Sequence, residues 1–165
     1  MDRLMIGKTP PVPGRPRHIL SLMLFLVLVV GGGLSLGYVT APASWYANLQ
    51  KPWFTPPGWV FAPVWTVLYI VIAVAGWRVW RRDRSTLAMQ LWWGQLLLNF
   101  LWSPVFFGAH WVGSALCIIL LLLVTIWAFI GRTWRVERTV AWLFLPYALW
   151  VAFASILNAG IFVLN

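Results

Sequence analysis

Three sets of residues have types and spacings suited to chemistry. Gln95, Asn99 and Trp102 recur at i, i+4 and i+7, so in a helix they share one face. Tyr147, Trp150, Ala154 and Asn158 recur at spacings of three and four, and Phe61, Trp65 and Tyr69 at spacings of four. If the three stripes converge, they supply aromatic walls, room beside Ala154 and a few uncharged hydrogen-bonding groups, the usual make-up of a small-molecule site. The chemistry would be apolar contact with aromatic rings and a few hydrogen bonds. A plainer reading has the amides only tying neighbouring helices together, for about 0.6 to 2 kcal/mol each in a membrane. For Gln95 and Asn99 the sequence leaves both readings open.

Other chemistries lack their residues. The acids Asp2, Asp83 and Glu137 fall in a tail and in basic loops, so no carboxylate pair is placed for acid-base work. There is no nucleophile with its base, no glycine-rich phosphate loop and no metal-binding cluster. Cys117 stands alone in an apolar run and has no disulfide partner in the chain. His18 and His110 fall at the edges of apolar runs, and no haem-attachment motif accompanies them. No metal and no obligatory cofactor are expected.

The elements that position these residues follow from composition. Of 165 residues, 62% are hydrophobic and 9% charged, with 14 Trp and a mean hydropathy of +0.84. Ordinary soluble domains carry about 25% charged residues. Five apolar runs, 19–39, 59–79, 87–107, 112–130 and 140–164, contain no charged residue except Arg78. Each approaches the roughly 20 residues that span the hydrocarbon core. Strand alternation is absent, which leaves a helical bundle. The expectation is an all-α integral membrane protein: a flexible, basic, Pro-rich tail at 1–16 and a five-transmembrane-helix bundle over 17–165. The first run resembles a signal peptide with Ala41-Pro42-Ala43 as its cleavage site, but it is longer than the 7 to 15 residues of a signal core. Gly33 and Gly37 within it have the GxxxG spacing of close helix contacts, and they and the third helix are candidates for a dimer face.

Twelve Lys and Arg against three acids give a net charge of +9. In a soluble chain this would suggest nucleic acid; here the basic residues lie between apolar runs and read as topology, so no nucleic-acid partner is expected. Eleven basic residues lie before the first run or in the second and fourth loops, and Lys51 alone lies in the first loop. The positive-inside rule then puts the amino terminus in the cytoplasm and the carboxyl terminus outside. The first loop, from about Thr40 to Gly58, carries Trp45, Tyr46, Lys51, Pro52, Trp53, Pro56 and Pro57. Its prolines restrict the backbone, and we read it as a lid over one mouth of the bundle. Pro63, Pro104 and Pro146 are expected to interrupt helices. Trp77, Trp80, Trp92, Trp93, Trp127, Trp134 and Trp142 are assigned to the interfacial belt and lipid contact, and Met23, Met89 and Cys117 to packing.

The string from Trp45 to Tyr69, WYANLQKPWFTPPGWVFAPVWTVLY, resembles the signature of the TspO family of tryptophan-rich sensory and translocator proteins. The blocks Gly94–Gly108, GQLLLNFLWSPVFFG, and Pro146–Ala154, PYALWVAFA, are similar to the family's third and fifth helices. The likeness extends from about Tyr38 to Asn158.

The resemblance implies a five-helix bundle, commonly a homodimer in membrane lipid, that binds porphyrins such as protoporphyrin IX and haem. The tryptophans implicated in porphyrin binding and breakdown map onto Trp65 and Trp150, and further pocket positions onto Tyr46, Asn99, Trp102 and Ala154. The sterol motif of animal members requires a Tyr and then a basic residue, and 157–163 reads LNAGIFV, so sterol binding is doubtful. Three functions from different classes follow: a tetrapyrrole sensor acting in tetrapyrrole handling and stress response, an enzyme degrading porphyrin with light or oxygen through Trp65 and Trp150, and a porphyrin transporter. No ionisable coupling group lies within the runs, which argues against active transport. The bacterial cell membrane is the expected location.

Overall fold

The computed structural model describes residues 15–41 and 44–165, and every element among them is helical. The expected tail lies outside the described residues except at its end, where α1 (Arg15–Leu26) begins. Pro16 sits in the first turn of α1, where its missing N–H has no intrahelical partner to lose. A π-helical turn (Val27–Gly31) carries α1 into α2 (Gly32–Val39). A short α3 (Ser44–Asn48) lies in the first loop, and a 3-10 turn (Gly58–Val60) opens α4 (Phe61–Arg82). Then come α5 (Leu87–Ser103), a second π-helical turn (Pro104–Gly108), α6 (Val112–Trp134) and α7 (Arg138–Leu164).

Four helical stretches, His18–Val39, Gly58–Arg82, Val112–Trp134 and Arg138–Leu164, are long and apolar enough to cross a membrane. The α5 helix is outside that set: it has 17 residues and carries Gln90, Gln95 and Asn99. Pro63 differs from expectation. It lies in the first turn of α4, where it removes no hydrogen bond, whereas Pro104 opens the second π-helical turn and Pro146 lies inside α7.

The helices close into a ring. α4 packs on α1 and α7, α7 on α6, α6 on α5, and α5 returns to α2. One end of the ring carries the arginines. There Arg78 pairs with Glu137, Arg82 Nη1 donates to the Val136 carbonyl at 3.1 Å, and the Arg84 guanidinium lies 3.9 Å from the centre of the Trp80 ring. Asp83 accepts from the Ser85 amide and hydroxyl at 2.8 and 2.7 Å, which holds its carboxyl below the usual range. Toward this end the interior is solid, filled by Ile72, Ala75, Trp92, Ile126, Phe129 and Phe144, all fully buried.

Trp92 corrects its assignment to the lipid belt, because α4 makes room for its indole. At Gly76 a Cβ would lie 2.1 Å from Trp92 Cε2, so only a glycine admits the ring. Its Nε1 donates to the Ile72 carbonyl at 3.0 Å, and Phe25 packs 5.1 Å from it, centre to centre. Trp77 is half-buried and donates to Ser21 Oγ at 3.0 Å, tying α4 to α1. Cys117 and Met23, expected in packing, are exposed on the bundle's outer surface. Gly33 is buried against the Tyr69 ring inside the bundle, so it packs within the chain and is not open to a second copy.

Gly76→Ala should therefore cost about 1–3 kcal/mol through overpacking. Gly131→Ala is the control, since a Cβ there meets nothing within 4 Å and alanine is the better helix former. Thermal unfolding in detergent should show a lower midpoint for the first and an unchanged or higher one for the second; equal midpoints would contradict the packing described.

Candidate ligand-binding cavity

Away from the arginines the ring is hollow. A cavity of about 640 Å3 opens there, walled by α2, α4, α5, α6 and α7, by the second π-helical turn and by the first loop. Its size falls within the range of about 300 to 1,000 Å3 usual for small-molecule sites. The three stripes read from the sequence meet around it: Phe61, Trp65 and Tyr69 from α4, Asn99 and Trp102 from α5, and Trp150, Ala154 and Asn158 from α7. The rings brace one another. Trp65 stacks on Tyr69 with centres 5.3 Å apart, Trp102 stacks on Phe106 at 5.2 Å, and Phe61 meets Trp150 edge-on at 5.8 Å.

Behind this wall a polar network joins α5 to α7. Asn99 Nδ2 donates to Tyr147 Oη at 2.8 Å, and the Tyr147 hydroxyl donates to Gln95 Oε1 at 2.9 Å. All three side chains are buried, so the amides do tie helices together; Asn99 in addition lines the cavity. Tyr147 does not: it is fully buried behind Asn99 and Trp65. A second bridge runs from Trp102 Nε1 to Asn158 Oδ1 at 3.1 Å, and Asn158 Nδ2 donates in turn to the Val112 carbonyl at 3.1 Å. Trp150 Nε1 is buried without a hydrogen-bond partner among the described residues. An unmet buried donor costs about 1–3 kcal/mol.

The first loop divides into residues that face the cavity and residues that hold the loop in place. Tyr46, Lys51 and Pro56 line the cavity. Lys51 Nζ donates to the carbonyls of Ala47 and Leu49, each at 3.1 Å, and lies 4.8 Å from the centre of the Tyr46 ring. Burial raises the Tyr46 phenol above its ordinary value. Trp45 faces away, stacked on His110 at 4.1 Å and edge-on to Phe106. His110 has a φ of 61°, in the left-handed region uncommon for side chains. Trp53 is 95% exposed and Pro57 is exposed at the entry to the 3-10 turn, so neither covers the cavity.

Pro52 anchors the loop to α7. A Cβ on Gly160 would lie 2.5 Å from Pro52 Cγ, so the glycine is the seat of the proline ring. Beside it the Gln50 amide donates to Asn165 Oδ1, and Asn165 Nδ2 donates to the Gln50 carbonyl, both at 3.0 Å. These anchors were not legible as a motif, because Gly160 and Asn165 meet the loop only after α7 has returned to it. The α2 wall was missed as well, although Gly33, Gly37 and Thr40 share one helical face in the sequence. Thr40 Oγ1 donates to the Leu36 carbonyl at 2.7 Å and lies 2.6 Å from Ser103 Oγ, joining α2 to α5 at the cavity's rim.

Gly160→Ala should lift Pro52 from α7 while leaving the bundle folded. Hydrogen exchange should then speed at the amides of Gln50 and Thr55, the latter bonded to the Pro52 carbonyl at 3.0 Å, with helix protection unchanged. Unaltered exchange at both would show that the loop is held by something else.

Comparison with known proteins shows the family. The model of the TspO/MBR family matches residues 24–164. The chain is 36% identical over 142 residues to the tryptophan-rich sensory protein of Cereibacter sphaeroides, covering 84% of this chain and 87% of that one. It is 32% identical over 152 residues to protein CrtK of Rhodobacter capsulatus, covering 88% and 95%. Its identity to the human translocator protein is 39% over 119 residues, covering 69% and 70%. By its matched residues and by these relatives, the chain is a membrane protein that belongs to the TspO/MBR family.

Proposed function

We propose that the protein is a tetrapyrrole sensor of the bacterial cell membrane, which binds a porphyrin such as protoporphyrin IX, or haem, in the cavity beneath the first loop. The observation that carries this reading is the meeting of Trp65, Trp102 and Trp150 around one hollow of about 640 Å3, whose charged lining residue is Lys51 at the loop end. A porphyrin is a wide apolar disc with two carboxylates at one edge. Indole faces suit the disc, Tyr46 and Asn99 supply edge hydrogen bonds, and Lys51, at the loop end, suits a carboxylate. The names of relatives, one a sensory protein and others translocator proteins, fit a role in sensing or handling a ligand, and binding alone suffices for sensing.

In this reading the chain crosses the bilayer five times. α5 with the π-helical turn that extends it runs from Leu87 to Gly108, roughly 33 Å of helix at 1.5 Å per residue. Gln95 and Asn99 lower its apolarity but are buried against α7, so lipid does not meet them, while Gln90 is exposed in the first turn, at the arginine end. The arginine end faces the cytoplasm and the loop end faces outward. A homodimer is part of the proposal, with its contact on the exposed apolar outer surface.

Protoporphyrin IX should quench the protein's tryptophan fluorescence saturably. Trp65→Ala and Trp150→Ala should each weaken binding about tenfold, since ring stacking is worth roughly 1–3 kcal/mol per aromatic partner. Ala154→Leu, which fills the hollow, should weaken it further. Equal affinity in all three variants would place the ligand elsewhere, and unsaturable quenching would remove the porphyrin reading.

A further inference from the structure

We propose that the ligand enters the cavity sideways from the acyl phase, through a gap between α2 and α4 whose width is set by Gly37. The proposal rests on the cavity being the ligand site. It adds that the ligands are membrane-dissolved amphiphiles with a flat apolar body, and that Gly37 is a specificity-determining residue.

The geometry of α2 carries it. Gly33, Gly37 and Thr40 lie along one helical face, and each does something different. At Gly33 the helix is sealed against α4, since a Cβ there would lie 2.3 Å from the Tyr69 ring. At Thr40 the helix is pinned to α5 through Ser103, not to α4. One turn beyond the Gly33 seal, a Cβ on Gly37 would meet nothing within 4 Å, yet Gly37 lines the cavity. The α2 helix is thus fixed at both ends and stands off α4 in between.

The rim of this gap faces the bundle's outer surface. Leu34 and Tyr38 line the cavity and are 45% and 84% exposed. On the facing side Ala62, also a lining residue, is exposed. All of these lie within His18–Val39 and Gly58–Arg82, two of the stretches apolar enough to cross a membrane, so the opening faces lipid. The loop end, by contrast, is held by the chain's own contacts. Pro52 is seated on Gly160, Gln50 is doubly bonded to Asn165, and the Lys51 ammonium is held by two carbonyls. A flat apolar molecule reaches the cavity past Gly37 without disturbing any of these contacts.

Two measurements test this. In phosphatidylcholine vesicles, Gly37→Leu should slow both association and release of protoporphyrin IX about tenfold, as expected for a narrowed gate. Asn165→Ala, which loosens the loop by removing both Gln50 hydrogen bonds, should leave the association rate within about twofold. A faster rate for Asn165→Ala with an unchanged rate for Gly37→Leu would overturn the proposal in favour of entry past the loop. Lost affinity at an unchanged association rate for Gly37→Leu would also overturn it, making Gly37 a wall. The second measurement needs no ligand. A nitroxide on Gly37→Cys, in a Cys117→Ser background, should collide more often with dissolved oxygen than with a water-soluble nickel chelate. Dominant nickel collisions would mean an aqueous mouth and overturn the lateral route. Failure of protoporphyrin IX to bind the unaltered protein would refute the porphyrin reading alone, and the nitroxide result would still decide the gap.

Discussion

Large flat rings enter a tightly packed helical bundle only where the facing helix gives up its side chain, and that constraint organises this protein. Gly76 admits Trp92, Gly33 admits Tyr69, and Gly160 admits Pro52. The first closes the interior near the arginines, the second marks where α2 meets α4, and the third seats the loop on α7. Elsewhere the rings meet other rings. Trp65, Trp102 and Trp150 keep their distance because Tyr69, Phe106 and Phe61 brace them. A bundle solid at one end and hollow at the other results.

Polar groups in the hollow half are spent on holding its walls. The Gln95–Tyr147–Asn99 network fixes α5 to α7, and Trp102 reaches Asn158 across the same seam. Hydrogen bonds of this kind in a membrane are worth about 0.6 to 2 kcal/mol each, enough together to fix the register of two helices. The charged residue in the lining, Lys51, is only half-buried at the loop end, so the depth of the cavity bears no desolvation cost from an ionised group. The site is apolar and preformed, which suits recognition by shape and stacking.

Much of this was legible in the sequence. Apolar runs gave the helices, and the spacing of Phe61, Trp65, Asn99, Trp102, Trp150 and Ala154 gave three faces that the bundle brings together. What was not legible depends on pairs distant in the chain. Trp92 reads as a belt residue until Gly76 is seen opposite it, and Tyr147 shares a helical face with Trp150 yet ends behind the wall because Asn99 stands in front. Trp53 looks like a lid residue among prolines, but Pro52 turns toward α7 and leaves it exposed. Periodicity assigns a residue to a face; only the partner across the interface decides whether that face is filled, hollow or open to lipid.

The most direct test of the central claim is the circular dichroism of protoporphyrin IX in its Soret band when added to the protein in vesicles. The free porphyrin is achiral, and a fixed pose against the unsymmetrical wall of Trp65, Trp102 and Trp150 would make it optically active. The account predicts an induced Soret signal that saturates at one porphyrin per chain and is lost in Ala154→Leu. A signal that stays absent, or that grows without saturation and is indifferent to Ala154→Leu, would contradict it.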